Sequence, residues 1–245
     1  MPARTCGRAG ERLMGAVYLI RHGQASFGGD DYDKLSELGR AQAERLGVYL
    51  AAKGLQLDAW RTGLLSRQID TAAIALNAMG LDLDVMRSAG FNEFDHTAVL
   101  ARVLPELAQR DADVAAFVHG KVDRRRSFQK VFEKVIVAWL AKDQWDGMDS
   151  WAAFSDRAAQ ALESTLEEIG GGRNIAIVTS GGVITAILQK VLGLSSAAAF
   201  SMNWSIVNAS ITKVMYSGGG RRSLAYFNNY SYLQSGSDRS YVTWR

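Results

Sequence analysis

The chain has 245 residues, of which 48% are hydrophobic and 22% charged, with a formal net charge of +3. That length and balance suit one packed domain and exclude a globally disordered chain. Arg4, Arg8 and Arg12 against Glu11 carry +2 of the charge, so the remainder carries +1, and no nucleic-acid partner is expected.

Cys6 is the single cysteine, so no intrachain disulfide can form, and a reducing, cytoplasmic setting is expected. There are three histidines, His22, His96 and His119, with no CxxC or HExxH spacing. No metal site is expected. No apolar run reaches the ~18 residues of a membrane span, so no membrane partner is expected either. Residues 1–14 read as a disordered or artefactual extension, because their short apolar part runs into Arg21-His22 without a cleavage site. Residues 15–245 read as one domain.

In chain order, 16–20 (AVYLI) is a buried strand that ends in Arg-His-Gly-Gln and a Gly/Asp-rich loop. Ser36 opens a helix with Leu38, Ala41, Leu46 and Leu50 near helical spacing, closed by Gly54. A second strand is expected at 57–61, a helix at 66–79 closed by Gly80, and a weak strand at 82–87. From 91 to 150 the pattern changes to two helical stretches, about 97–110 and 127–142, with Arg124-Arg-Arg126 between them. This block reads as a helical cap inserted over the active site. A helix is predicted over 150–169 and a buried strand at 174–178. The strand enters Thr179-Ser180-Gly181-Gly182 and a helix to Leu192. Strands at 210–216 and 223–228 flank Gly218-Gly-Gly220 as a hairpin. The expected fold is α/β, a three-layer sandwich with a mainly parallel central sheet flanked by helices.

Two apolar strands end in unusual polar sequence, Arg21-His22-Gly23-Gln24 and Thr179-Ser180-Gly181-Gly182. In such sheets ligands gather at the carboxyl ends of strands. Arginine offers a fork of donors matched to phosphate oxygens, imidazole is a nucleophile toward phosphorus, and small residues at a helix start admit an anion to backbone N–H groups. Together they point to phosphoryl chemistry. Nucleotide-loop motifs are absent.

Val17-Tyr-Leu-Ile-Arg-His-Gly-Gln24 resembles the opening motif of the histidine phosphatase superfamily, the phosphoglycerate mutase-like proteins. The resemblance continues through Leu35-Ser-Glu-Leu-Gly-Arg-Ala-Gln-Ala43, Thr62-Gly-Leu-Leu-Ser-Arg-Gln-Ile-Asp-Thr-Ala72, Phe91-Asn-Glu-Phe-Asp95, Ile175-Ala-Ile-Val-Thr-Ser-Gly-Gly-Val-Ile184, Asn208-Ala-Ser-Ile-Thr212 and Phe227-Asn-Asn-Tyr-Ser231. It implies that His22 forms a phosphohistidine, that Arg21 and Arg67 hold the phosphoryl oxygens, and that Glu93 protonates the leaving alcohol. It implies no cofactor. Ser180 and Gly181 would complete the phosphate site, with Gln24 and His96 as candidate substrate contacts.

The family pattern has a histidine before the Gly pair of its last motif, where this chain has Ser180. Serine donates a hydrogen bond but carries no charge, and loss of one preorganised donor costs about 10²–10³ in rate. Gly63 stands where many members have serine. Three readings remain open. The protein is a phosphomonoesterase that tolerates Ser180, acting on a small phosphorylated molecule or a phosphoprotein. Alternatively, His96 or His119 substitutes for the missing imidazole. Or the site is a weak or inactive pseudophosphatase that binds a phosphorylated ligand. The late strands and Trp204 offer a surface for a homodimer, although an isolated Trp is more often core.

Overall fold

A computed structural model describes residues 14–26, 33–218 and 220–244. Most of the expected amino-terminal extension, residues 1–13, lies outside the described residues. Met14, assigned to that extension from sequence, begins the first strand instead.

Six strands form one sheet. They are β1 (Met14–Arg21), β2 (Ala59–Thr62), β3 (Val85–Arg87), β4 (Asn174–Thr179), β5 (Ile211–Ser217) and β6 (Arg222–Asn229), in the order β3-β2-β4-β1-β5-β6. The first four in that order are parallel, and β5 and β6 add an antiparallel edge.

Side chains alternate along the strands, as a sheet buried on both faces requires. Val17 and Leu19 of β1 join one apolar cluster with Ile175 and Ile177 of β4. Ala16, Tyr18 and Ile20 join the other with Ala176 and Val178. Helices α1 (Glu37–Ala52) and α2 (Ser66–Ala78) cover the second face through Leu46, Leu50, Ala72 and Leu76. The first face packs against later helices. These are α6 (Trp151–Ile169), α7 (Gly181–Leu192) and α8 (Ser196–Asn203). The sheet with helices on both faces is the arrangement expected from the strand-helix alternation.

The segment between β3 and α6 holds three helices rather than two, α3 (His96–Ala108), α4 (Ala112–Val118) and α5 (Arg124–Leu140). At seven residues, α4 is too short to show a helical period in the sequence. Asp111 caps it, and Lys134 of α5 reaches Asp111 at 2.7 Å and Asp113 at 2.9 Å, which ties the two helices together. Asp123 caps α5, so the arginine run is its first turn and not a linker.

The parallel register sets the site. Arg21 pairs with Thr179, and Thr62 pairs with Val178, so β1, β2 and β4 end on one edge of the sheet. Three polar loops leave from that edge.

Candidate active site

His22 follows β1 and is buried. Its Nδ1 lies 2.6 Å from the Gly23 carbonyl, and Arg67 Nε lies 3.2 Å from its Nε2. The carbonyl only accepts and the guanidinium only donates, so Nδ1 carries the proton and Nε2 presents a lone pair. Burial, and then the charges of Arg67 and Arg21, hold the imidazole well below its usual range. The Gly23 carbonyl opposes this. A neutral imidazole is the form that attacks phosphorus, and here its Nε2 lone pair accepts from Arg67, a bond it must release to do so.

The backbone around His22 is anchored on every side. Its N–H donates to Thr179 O at 2.8 Å, and its carbonyl accepts from Ala209 N and Asn208 Nδ2, each at 3.2 Å. Gly23 N donates to Thr71 Oγ1, which in turn donates to Arg67 O. One turn of α2 therefore fixes both the nucleophile loop and the arginine beside it.

Arg67 is also buried. Its Nη1 lies 2.7 Å from Asp33 Oδ1, while Asp33 Oδ2 accepts from Ser66 N and so caps α2 from a distant loop. Arg21 donates through Nη1 to the carbonyls of Ile206 and Trp244, the latter at 3.0 Å. The carboxy-terminal segment is bound here more widely. Asn208 N donates to Thr243 O, Thr243 Oγ1 donates to Asn208 Oδ1, and Gln42 Nε2 donates to Tyr241 O.

Glu93 follows a 3₁₀ turn (Ala89–Phe91). Its Oε2 accepts from Gly182 N at 3.1 Å and its Oε1 from Phe94 N at 3.1 Å. The carboxyl thus sits at the start of α7. A Cβ at 182 would lie 2.1 Å from Glu93 Oε1 and 2.9 Å from the Phe94 ring, so any side chain there would push the Glu93 carboxyl aside. On Gly181, a Cβ would lie 2.8 Å from Asn203 Oδ1 and 3.8 Å from Arg21 Nε, so this glycine faces the Arg21 side chain. The structure brings His22, Arg21, Arg67, Glu93 and Gly181 around one sheet edge and one helix start.

Ser180 is the N-cap residue of α7 and is buried, but its side chain makes no cap bond. Its Oγ accepts from Gln68 Nε2 at 2.8 Å, and the same nitrogen donates to Phe91 O at 3.0 Å. A carbonyl cannot donate, which fixes the amide orientation. The serine hydroxyl must therefore aim its own proton elsewhere. Gln68 Oε1 is buried and takes no hydrogen bond. It lies over Gly63, whose added Cβ would stand 2.0 Å from it. Gly63, Gln68 and Ser180 form one packed unit.

Gln24 accepts from Ser36 Oγ and lines a cavity toward the cap. His96 is the first residue of α3, half-buried and three positions after Glu93. His119 is the exposed C-cap residue of α4. Trp204 stands in a row of aromatic rings, 5.8 Å from Phe132 and 5.5 Å from Phe200.

Gln68, Asp33, Thr71, Asn208 and the carboxy-terminal segment were not singled out from sequence as site residues. Gln68 had a readable signal, since it shares the buried face of α2 with Thr71, Ala72, Ala75 and Leu76. A polar residue on such a face needs a partner. Among the described residues, no cluster of three or more His, Cys, Asp or Glu could hold a metal ion, and no helix is long and apolar enough to cross a membrane.

The model of the histidine phosphatase superfamily (branch 1) matches residues 17–139 and 118–229. The 2,3-bisphosphoglycerate-dependent phosphoglycerate mutase of Sphingopyxis alaskensis is 26% identical over 206 residues, covering 75% of this chain and 86% of that enzyme. The enzyme of the same name from Corynebacterium kroppenstedtii is 40% identical over 93 residues, 35% of this chain and 37% of that one. Among solved structures, a phosphoglycerate mutase from Bacillus anthracis superposes with a TM-score of 0.64 at 20% identity, covering 91% of this chain and 96% of that one. A mycobacterial glucosyl-3-phosphoglycerate phosphatase gives 0.60 at 22%, covering 88% and 99%. These likenesses show the shared fold. With the nucleophile loop, both arginines and the glutamate gathered at one sheet edge, and the family model spanning the same segments, the chain belongs to the histidine phosphatase superfamily.

Proposed function

We propose that the protein is a metal-independent phosphomonoester hydrolase working through a phosphohistidine at His22. The observation that carries this reading is the state of His22, neutral and buried, with Nδ1–H tied to Gly23 O and Nε2 facing Arg67. In the first step Nε2 attacks phosphorus and the N–P bond forms as the ester P–O bond breaks. Glu93 delivers its proton to the departing oxygen. In the second step water attacks phosphorus, Glu93 takes its proton, and His22 leaves as the neutral imidazole. Phosphoryl transfer asks mainly for positioning and charge stabilisation. Arg21, Arg67 and the backbone at Gly181 supply both, so the arginines do the work a metal would otherwise do. The substrate is a small phosphorylated molecule or a phosphoprotein.

One observation favours a second reading, in which the protein binds a phosphorylated ligand with little or no turnover. Ser180 stands where the family pattern has a histidine, and its hydroxyl is engaged by Gln68. The site then has one fewer charged donor for the transferring group.

Incubation with a ³²P-labelled phosphomonoester, followed by an alkaline detergent quench and an acid-treated control, tests the choice. The expected result is acid-labile, base-stable label on the wild type and none on His22→Ala. Turnover without any His22-dependent label would overturn the phosphohistidine step. Binding without turnover or label would establish the second reading.

A further inference from the structure

We infer that the substrate of this site is a phosphomonoester with a bulky apolar or aromatic body and a second negative charge, held in a cavity between the nucleophile loop and the cap. The inference rests on the phosphatase reading above.

The cavity measures 840 Å³ and is lined by Gln24 and Ser36 on the sheet side and by Phe117, Phe128, Arg124 and Arg125 on the cap side. Gln24 lies two residues after His22, which places this wall of the cavity within about 7 Å of the His22 backbone. Its volume is in the range of drug-sized ligands, far larger than a three-carbon phosphate ester needs.

Phe117 and Phe128 form the apolar part of the wall, and further rings pack behind them. Phe117 and Phe128 lie 6.4 Å apart, Phe128 stacks on Phe132 at 5.7 Å, and Phe132 meets Trp204 at 5.8 Å. Trp204 follows Asn203, the residue that lies against Gly181 at the phosphate end. The two rings that line the cavity are thus backed by Phe132 and Trp204. Phe128 is 37% exposed, so its ring face is open to a ligand in the cavity.

The charged part of the wall is unneutralised. Among the described residues, Arg126 pairs with Asp123, while no carboxylate pairs with Arg124 or Arg125. Arg124 lies over the Phe117 ring at 5.5 Å. That contact holds the guanidinium against the aromatic wall, with its N–H edges available to an anion. A ligand that stacks on phenylalanine and ends in a carboxylate, sulfonate or second phosphate would satisfy both features.

The test compares phosphate release from 3-phosphoglycerate, 2-naphthyl phosphate and 6-carboxy-2-naphthyl phosphate, with calorimetric binding of each to the His22→Ala protein. The expected order of kcat/KM and of affinity is carboxynaphthyl, then naphthyl, then glycerate. Arg124→Gln/Arg125→Gln should lower the preference for the carboxylated over the uncharged naphthyl ester by about fivefold, chiefly through KM. Phe128→Ala, at a half-exposed position that tolerates truncation, should cut both naphthyl esters about tenfold relative to 3-phosphoglycerate. Turnover that favours 3-phosphoglycerate, or that responds equally for all three esters in both variants, overturns the inference and leaves the phosphatase reading standing. Binding in the expected order without turnover of any ester keeps the cavity assignment and removes the phosphatase reading.

Discussion

Replacing Ser180 by histidine, the residue that the resemblance leads one to expect there, is predicted to fail by itself. Ser180 is buried, with Gln68 Nε2 2.8 Å from its Oγ. An imidazole there must displace the Gln68 amide. That amide is held by Phe91 O at 3.0 Å, and its oxygen already fills the space over Gly63. Overpacking a buried site costs about 1–3 kcal/mol, and the lost amide-hydroxyl bond about 1 kcal/mol more. The total of about 2–4 kcal/mol corresponds to a fall in Tm of roughly 4–15 °C for a domain of this size. Gln68→Ala/Ser180→His opens the space. Phe91 O keeps its bond from Thr179 Oγ1 at 2.7 Å, so no buried carbonyl is stranded. The double variant should recover most of the lost stability and raise kcat by up to about 10²–10³-fold, the value of one well-placed donor. Thermal melts and phosphate release on all four members of the cycle measure a coupling of at least about 1 kcal/mol. A single Ser180→His variant with unchanged Tm and increased turnover would refute the packing argument, as would strict additivity.

Three further outcomes are expected. The pKa of His22 is depressed in the folded state, so its contribution to stability is fully present above about pH 6.5 and is lost as pH falls below that value, because the unfolded chain takes up the proton first. Wild type should lose stability relative to His22→Asn by up to about 1.4 kcal/mol per pH unit below 6.5, and parallel Tm curves from pH 8 to 5 would contradict this. Glu93→Gln should lower kcat/KM for alkyl phosphates by about 10²–10⁴-fold and that for 4-nitrophenyl phosphate far less, since nitrophenolate leaves without a proton and kcat/KM does not include the shared hydrolysis step. An equal loss on both substrates would exclude the acid role. Gly182→Ala inserts a Cβ 2.1 Å from Glu93 Oε1 and should reproduce the leaving-group dependence of Glu93→Gln while phosphate affinity is retained. A normal alkyl-phosphatase rate in this variant would show that the observed carboxyl position does not matter.

Local pattern alone was enough for the strand that delivers His22, the helices opened by Ser36 and Ser150, and the Gly181-Gly182 helix start. Each depends on residues within a few positions of one another, and hydrophobic period and capping are properties of that scale. The sequence does not reveal α4, because seven residues hold too little period, and it places the start of α5 at 127 rather than 124, because a run of three arginines carries no apolar period. The family resemblance extended the reading to Arg67 and Glu93, whose places in the chain are far from His22.

What only the tertiary structure decided is which atoms meet. The sequence showed a serine before the Gly pair and a glycine at 63 as two separate departures from the family pattern. Closure of the sheet brings residues 63, 68 and 180 together and makes them one departure, in which the Gln68 side chain lies over the glycine and donates to the serine. The same closure sets Asp33 on Arg67 and the Trp244 carbonyl on Arg21. These contacts join positions 34, 112 and 223 residues apart. Backbone periodicity carries no information over such separations, and it is packing between layers that selects the partners.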